Sequence, residues 1–77
     1  MLVTIKYFGQ IAEATQKEKE LFEFSGKQVS ELLNSLYKKY SALKNIDFKV
    51  AQNQELVSEE SKITGEEIAL LPPFAGG

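Results

Sequence analysis

Apolar and polar residues alternate from Leu2 to Phe8, with Val3, Ile5 and Tyr7 on one side and Leu2, Thr4, Lys6 and Phe8 on the other. This period of two predicts a strand, which Gly9 ends. A second strand is expected over residues 20–24, with Phe22 and Phe24 on one side. The polar segment 10–19 joins the two as a hairpin connection, with room for a helical turn around 11–14. After Ser25-Gly26 the period changes. Val29, Leu32, Leu33, Leu36, Tyr37 and Tyr40 fall on one helical stripe, with Ser30, Glu31, Asn34, Ser35, Lys38 and Lys39 between them. The lysines close the last turn, where they oppose the negative end of the helix dipole, but Gln28 is a poor N-terminal cap.

Beyond the helix, residues 48–52 predict a short strand with Phe48 and Val50 inward, and Asn53-Gln54 a turn into the apolar pair Leu56-Val57. Residues 58–62 are polar and loop-like, and Gly65 leads into a last strand over 67–71. There Ile68 and Leu70 face in while Ala69 and Leu71 face out, and Pro72-Pro73 stop further pairing because proline donates nothing to a ladder. Two strands, one crossing helix and three more strand segments form an α+β pattern, a mixed sheet with the helix across one face. This is the β-grasp arrangement of ubiquitin-like proteins. The expected division is a domain over residues 1–71 and an extended tail over 72–77. One helix stripe covers one sheet face, which leaves outward Leu2, Phe8 and Leu71 without a partner inside the chain.

Composition narrows the chemistry. The 77 residues carry eleven acids and nine lysines, for a net charge of -2, a balance that argues against nucleic acid as the main partner. Without Cys or His the chain has no disulfide framework, thiolate nucleophile or usual zinc ligand, and no His to act as general base. Without Arg it has no fork for clamping phosphate. No bound cofactor or metal is expected. No basic N-terminal segment precedes an apolar stretch, and no apolar run approaches the ~20 residues that span a bilayer. The expectation is a cytoplasmic protein with no membrane partner.

The segment Leu71-Pro72-Pro73-Phe74-Ala75-Gly76-Gly77 is the most informative. Two prolines stiffen it. Phe74 is an apolar anchor on a chain end, and the glycines lack side chains, so a terminal carboxylate can thread a narrow channel. With Gly at ~7% of residues, two at the end arise by chance in roughly one chain in two hundred. The outward set Phe8, Leu56 and Leu71 reads as a docking patch near the tail's exit, or as a satellite cluster under the loop at 58–62. Glu55, Glu59, Glu60, Glu66 and Glu67 read either as a solvated rim or as acids that steer a basic partner.

These residues resemble the small subunit of molybdopterin synthase, the MoaD-type sulfur carriers. The likeness lies in Tyr7-Phe8-Gly9-Gln10 with Glu13, in Asn53-Gln54-Glu55-Leu56-Val57, and in Gly65-Glu66-Glu67-Ile68 leading to Pro72-Pro73-Phe74-Ala75-Gly76-Gly77. The resemblance implies that a MoeB-type adenylyltransferase uses ATP to activate the carboxyl of Gly77. Sulfur then displaces the adenylate to leave a thiocarboxylate. The tail next enters the active site of a MoaE-type large subunit, in a heterotetramer, and delivers sulfur to cyclic pyranopterin monophosphate. In that scheme Gly76 passes the narrow part of the channel, and Phe8, Leu56, Leu71, Pro72, Pro73, Phe74 and Ala75 contact the partner. The chain would then be a sulfur donor whose catalytic site lies elsewhere. It departs from the family at Ala12, where an Arg is common, and in a shorter loop before Gly65. A thiamine-type sulfur carrier and a ubiquitin-like protein modifier are the alternatives.

Overall fold

The computed structural model describes residues 2–64 and 67–73. Strand β1 (Leu2–Tyr7) buries every second residue, as its alternation requires. At Gly9 the backbone turns with φ 57° and ψ -132°, a conformation open to glycine and strained for other residues. Helix α1 (Gln10–Thr15) follows, tying Ile11 and Thr15 into the core, and ends in left-handed Gln16. Strand β2 (Lys19–Glu23) returns antiparallel to β1, with Phe22 opposite Val3.

Helix α2 (Val29–Lys39) buries Val29, Leu32, Leu33 and Leu36 against the sheet. Each such side chain contributes roughly 1.5–3 kcal/mol of apolar burial. Gln28 makes no side-chain cap. The loop at 58–62 caps the helix instead: the N–H of Val29 donates to the carbonyl of Ser61, and that of Ser30 to Glu59, both at 2.9 Å. Two of the N–H groups orphaned at any helix start are thereby satisfied. A short 3-10 turn (Ser41–Asn45) follows α2 and sinks Leu43 into the core.

Strand β3 (Lys49–Gln52) runs through Asn53 and Gln54, both at positive φ, into β4 (Glu55–Val57). Positive φ at both central residues is the signature of a two-residue hairpin, and Asn tolerates it well. Strand β5 (Glu67–Leu71) inserts between β1, to which it is parallel, and β3, to which it is antiparallel. The sheet has the order β2-β1-β5-β3-β4 with α2 across one face. This is the mixed β-grasp sheet that the pattern predicts. Phe48 lies just outside β3, half-buried against Tyr37 with ring centroids 6.4 Å apart.

Candidate functional site, the open face of the sheet and the root of the tail

The register assigns each outward residue a neighbour. Lys19, Lys6, Ala69, Ala51 and Leu56 form one row across all five strands. Leu71, opposite Lys49, belongs to the next row toward the tail, and Phe8, one residue beyond β1, continues that row. No helix or strand covers this face among the described residues, and Phe8 and Leu56 are 44% and 60% exposed. Phe8 and Leu71 wall a shallow hollow of about 290 Å³ that Ala51, Ala69, Gln54, Lys6 and Glu67 complete. Leu56 stands apart, three strands from Phe8 and so roughly 14 Å away at ordinary strand spacing. It lines a separate groove with Tyr37, Phe48 and Val57.

The hollow leads directly to the tail. The N–H of Phe8 donates to the carbonyl of Leu70 at 3.3 Å, extending the parallel ladder one step past β1. Beyond it the Pro72 ring lies against Gly9. A Cβ at Gly9 would stand 2.9 Å from Pro72 Cγ, closer than such atoms normally approach. Gly9 therefore seats the tail's root as well as turning the chain. Pro72 and Pro73 are exposed. Phe74, Ala75, Gly76 and Gly77 lie outside the described residues, as do Gly65 and Glu66.

Among the described acids there is no single crowded patch. Glu67 is on the open face, 3.1 Å from Lys6 Nζ. Glu59 belongs to the loop that caps α2, and Glu55 to the outer strand. No group of three or more acids is close enough to hold a metal ion among the described residues. No helix there is long and apolar enough to cross a membrane.

Sequence reasoning did not anticipate a carboxylate network at the base of β1. Both hydroxyls of Tyr7 and Tyr40 donate to Glu20 Oε1, the latter at 2.7 Å. Lys39 Nζ reaches Oε2 at 2.8 Å and Lys17 Nζ at 3.4 Å. Burial alone would raise the Glu20 pKa, but these donors, led by Lys39, hold it down to about 2. Burial, then Glu20, pushes the Tyr7 hydroxyl well above the usual tyrosine range. With every acceptor position occupied, Glu20 has no proton to trade near neutrality. It fastens the end of α2 to β1 and β2 just below Phe8 and Gly9.

Known structures share this architecture. A Pyrococcus furiosus protein described as subunit 1 of a molybdopterin converting factor superposes with a TM-score of 0.86 at 21% identity, over 96% of this chain and 99% of that one. The small archaeal modifier protein 1 of Methanosarcina acetivorans gives 0.81 at 27% identity, over 99% and 96%. Subunit 1 in the complex of subunits 1 and 2 of the Helicobacter pylori molybdopterin-converting factor gives 0.69 at 26%, over the whole of both chains. At the level of sequence, the ThiS family matches residues 5–77, which takes in nearly all of the fold and the Gly-Gly end. By that match and this fold, the chain belongs to the ThiS family of ubiquitin-like proteins.

Proposed function

We propose that the chain is the sulfur-carrying small subunit of a molybdopterin synthase. The observation that carries this reading is continuity: the apolar wall of exposed Phe8 and half-buried Leu71 leads into Pro72, seated on Gly9. A partner that grips the open face thereby receives the tail at a defined place and direction. The carboxyl of Gly77 is activated as an adenylate by a MoeB-type enzyme using ATP, and sulfur displaces the adenylate to leave a thiocarboxylate. A MoaE-type large subunit then takes the tail, with Gly76 in the narrow part of its channel and Phe74 and Ala75 at its mouth. The likeness to a subunit 1 held in complex with subunit 2 supports such a partner.

The test is the intact mass of the chain after incubation with ATP, an activating enzyme and a sulfur source. A rise equal to sulfur replacing one oxygen, lost when Gly77 is deleted, is the expected result. No rise with an activating enzyme that charges another carrier would overturn the reading. The large subunit and pyranopterin then separate the pathways, since only this carrier type yields molybdopterin. The likeness to the small archaeal modifier protein supports a second reading, conjugation through Gly77 to lysines. Isopeptide adducts in the same incubation would favour it.

A further inference from the structure

The open face also indicates what kind of surface covers it. Its centre is built from the two smallest side chains available: Ala51 and Ala69 are direct partners across β3 and β5. Larger groups surround them, with Phe8 and Leu71 toward the tail, Gln54 at the hairpin, and Lys6 with Glu67 toward β1. Ala51 is only 7% exposed because its neighbours overhang it. The result is a floor with walls, about 290 Å³ in volume. A flat partner would leave this space unfilled and forfeit its dispersion contacts. A partner with one bulky apolar side chain at that point would fill it, in the manner of the buried anchors that dominate protein interfaces.

The charges on this face run against the charge of the whole chain. By register its charged residues are Lys6, Lys19, Lys49, Glu23 and Glu67. Glu67 is matched by Lys6, and Glu23 stands at the far end beside Leu2. At the tail end, Lys49 stands opposite Leu71, and Lys19, opposite Lys6 one row back, lines a hollow beside Phe8 together with Glu18. The chain's net charge of -2 therefore hides an open face on which three lysines stand against two acids. Glu59 and Glu60, which the sequence offers as steering acids, are on the loop that caps α2.

We propose that the open face receives a partner surface presenting one bulky apolar side chain to the Ala51–Ala69 hollow, flanked by carboxylates that meet Lys19 and Lys49. This deepens the docking step of the proposed function and rests on it. Rim charges of this kind act mainly on the association rate, while the filled hollow acts on dissociation.

The experiment is the kinetics of binding to a MoaE-type large subunit, using the full chain. Ala69→Leu fills the hollow from this side, on a half-exposed position, so thermal unfolding should stay near that of the parent. It is expected to weaken binding at least tenfold, mostly through faster dissociation. Lys49→Glu together with Lys19→Glu should slow association several-fold and flatten or reverse its dependence on salt, whereas Glu60→Lys should change neither. Unchanged or tighter binding by the folded Ala69→Leu variant would show a flat partner and overturn the hollow. Faster association by the double charge variant would show a basic partner and overturn the rim. If the parent chain itself does not bind, this proposal falls, while thiocarboxylate formation still judges the carrier reading separately.

Discussion

Glu20 shows how one residue can organise a small domain. Its carboxylate takes four donors from β1, the segment before β2, and the end of α2, and its side chain is only 8% exposed. The folded-state pKa is depressed from 4.5 to about 2, so the stabilisation is present above the unfolded value. It is lost as pH falls from about 4.5 toward 2. With Lys17 and Lys39 partly exposed to salt, the contribution is on the order of 2 kcal/mol. Glu20→Gln should therefore lower the Tm by on the order of 10 °C at neutral pH. It should also shrink the difference in Tm between pH 6 and pH 3; equal acid sensitivity in both proteins would refute the assignment. Gly9 is the other decisive residue. Gly9→Ala places a Cβ at φ 57° and against Pro72 Cγ. The strain is of order 1–3 kcal/mol. We expect a Tm loss of several degrees, with the largest NMR shift changes at Pro72 and Phe8 and little change in α2.

Between residues and the whole fold, the elements depend on a loop that looks featureless in the sequence. Gln52, buried at the end of β3, uses both ends of its amide: Nε2 donates to the Lys62 carbonyl, and Oε1 accepts from the Thr64 N–H, each at 2.9 Å. That grip holds the loop whose carbonyls cap α2. Gln52→Ala should cost about 1–3 kcal/mol, the usual penalty for stranding buried polar groups. Its particular signature should be faster hydrogen exchange at the amides of Val29 and Ser30, with the β1 amides unchanged. Uniform acceleration would mean that Gln52 acts on global stability alone. The contrast explains what was legible beforehand. Period-two alternation in β1 and β5, the stripe on α2 and the Asn53-Gln54 turn depend on local chemistry, so they can be read along the chain. The capping loop and the Glu20 network join residues distant in sequence, and the five-residue 3-10 turn around Leu43 is too short to show a period. The outward parity of Phe8 and Leu71 was readable; the alanine floor between them depends on the β3–β5 register and was not.

At the scale of the molecule, the helix covers one face of the sheet, and no element among the described residues covers the other. A domain this small buries only ~60% of the surface its unfolded chain exposes, so an uncovered sheet face is a large fraction of its apolar resources. Natural sheets avoid long exposed apolar surfaces because they invite aggregation. Here Thr4, Lys6, Lys19 and Lys49 break the face up, separating the apolar tail end at Phe8 and Leu71 from exposed Leu2 and Leu21 at the other end. If that end serves docking and not stability, the two properties should separate on mutation. Leu71→Lys changes a half-buried residue on the open side of β5, while Ile68 and Leu70 on the same strand remain fully buried. We expect its Tm to change by no more than a few degrees. Binding to the large subunit should weaken by at least tenfold, since a charge would be placed beside Phe8 where the partner must exclude water. Leu70→Ala should do the reverse. It leaves a cavity against α2 and should cost 2–5 kcal/mol of stability, with binding preserved in the fraction that remains folded. A Leu71→Lys variant that unfolds readily, or binds as well as the parent, would place Leu71 in the structural core and return the search for the docking face to the groove beside Leu56.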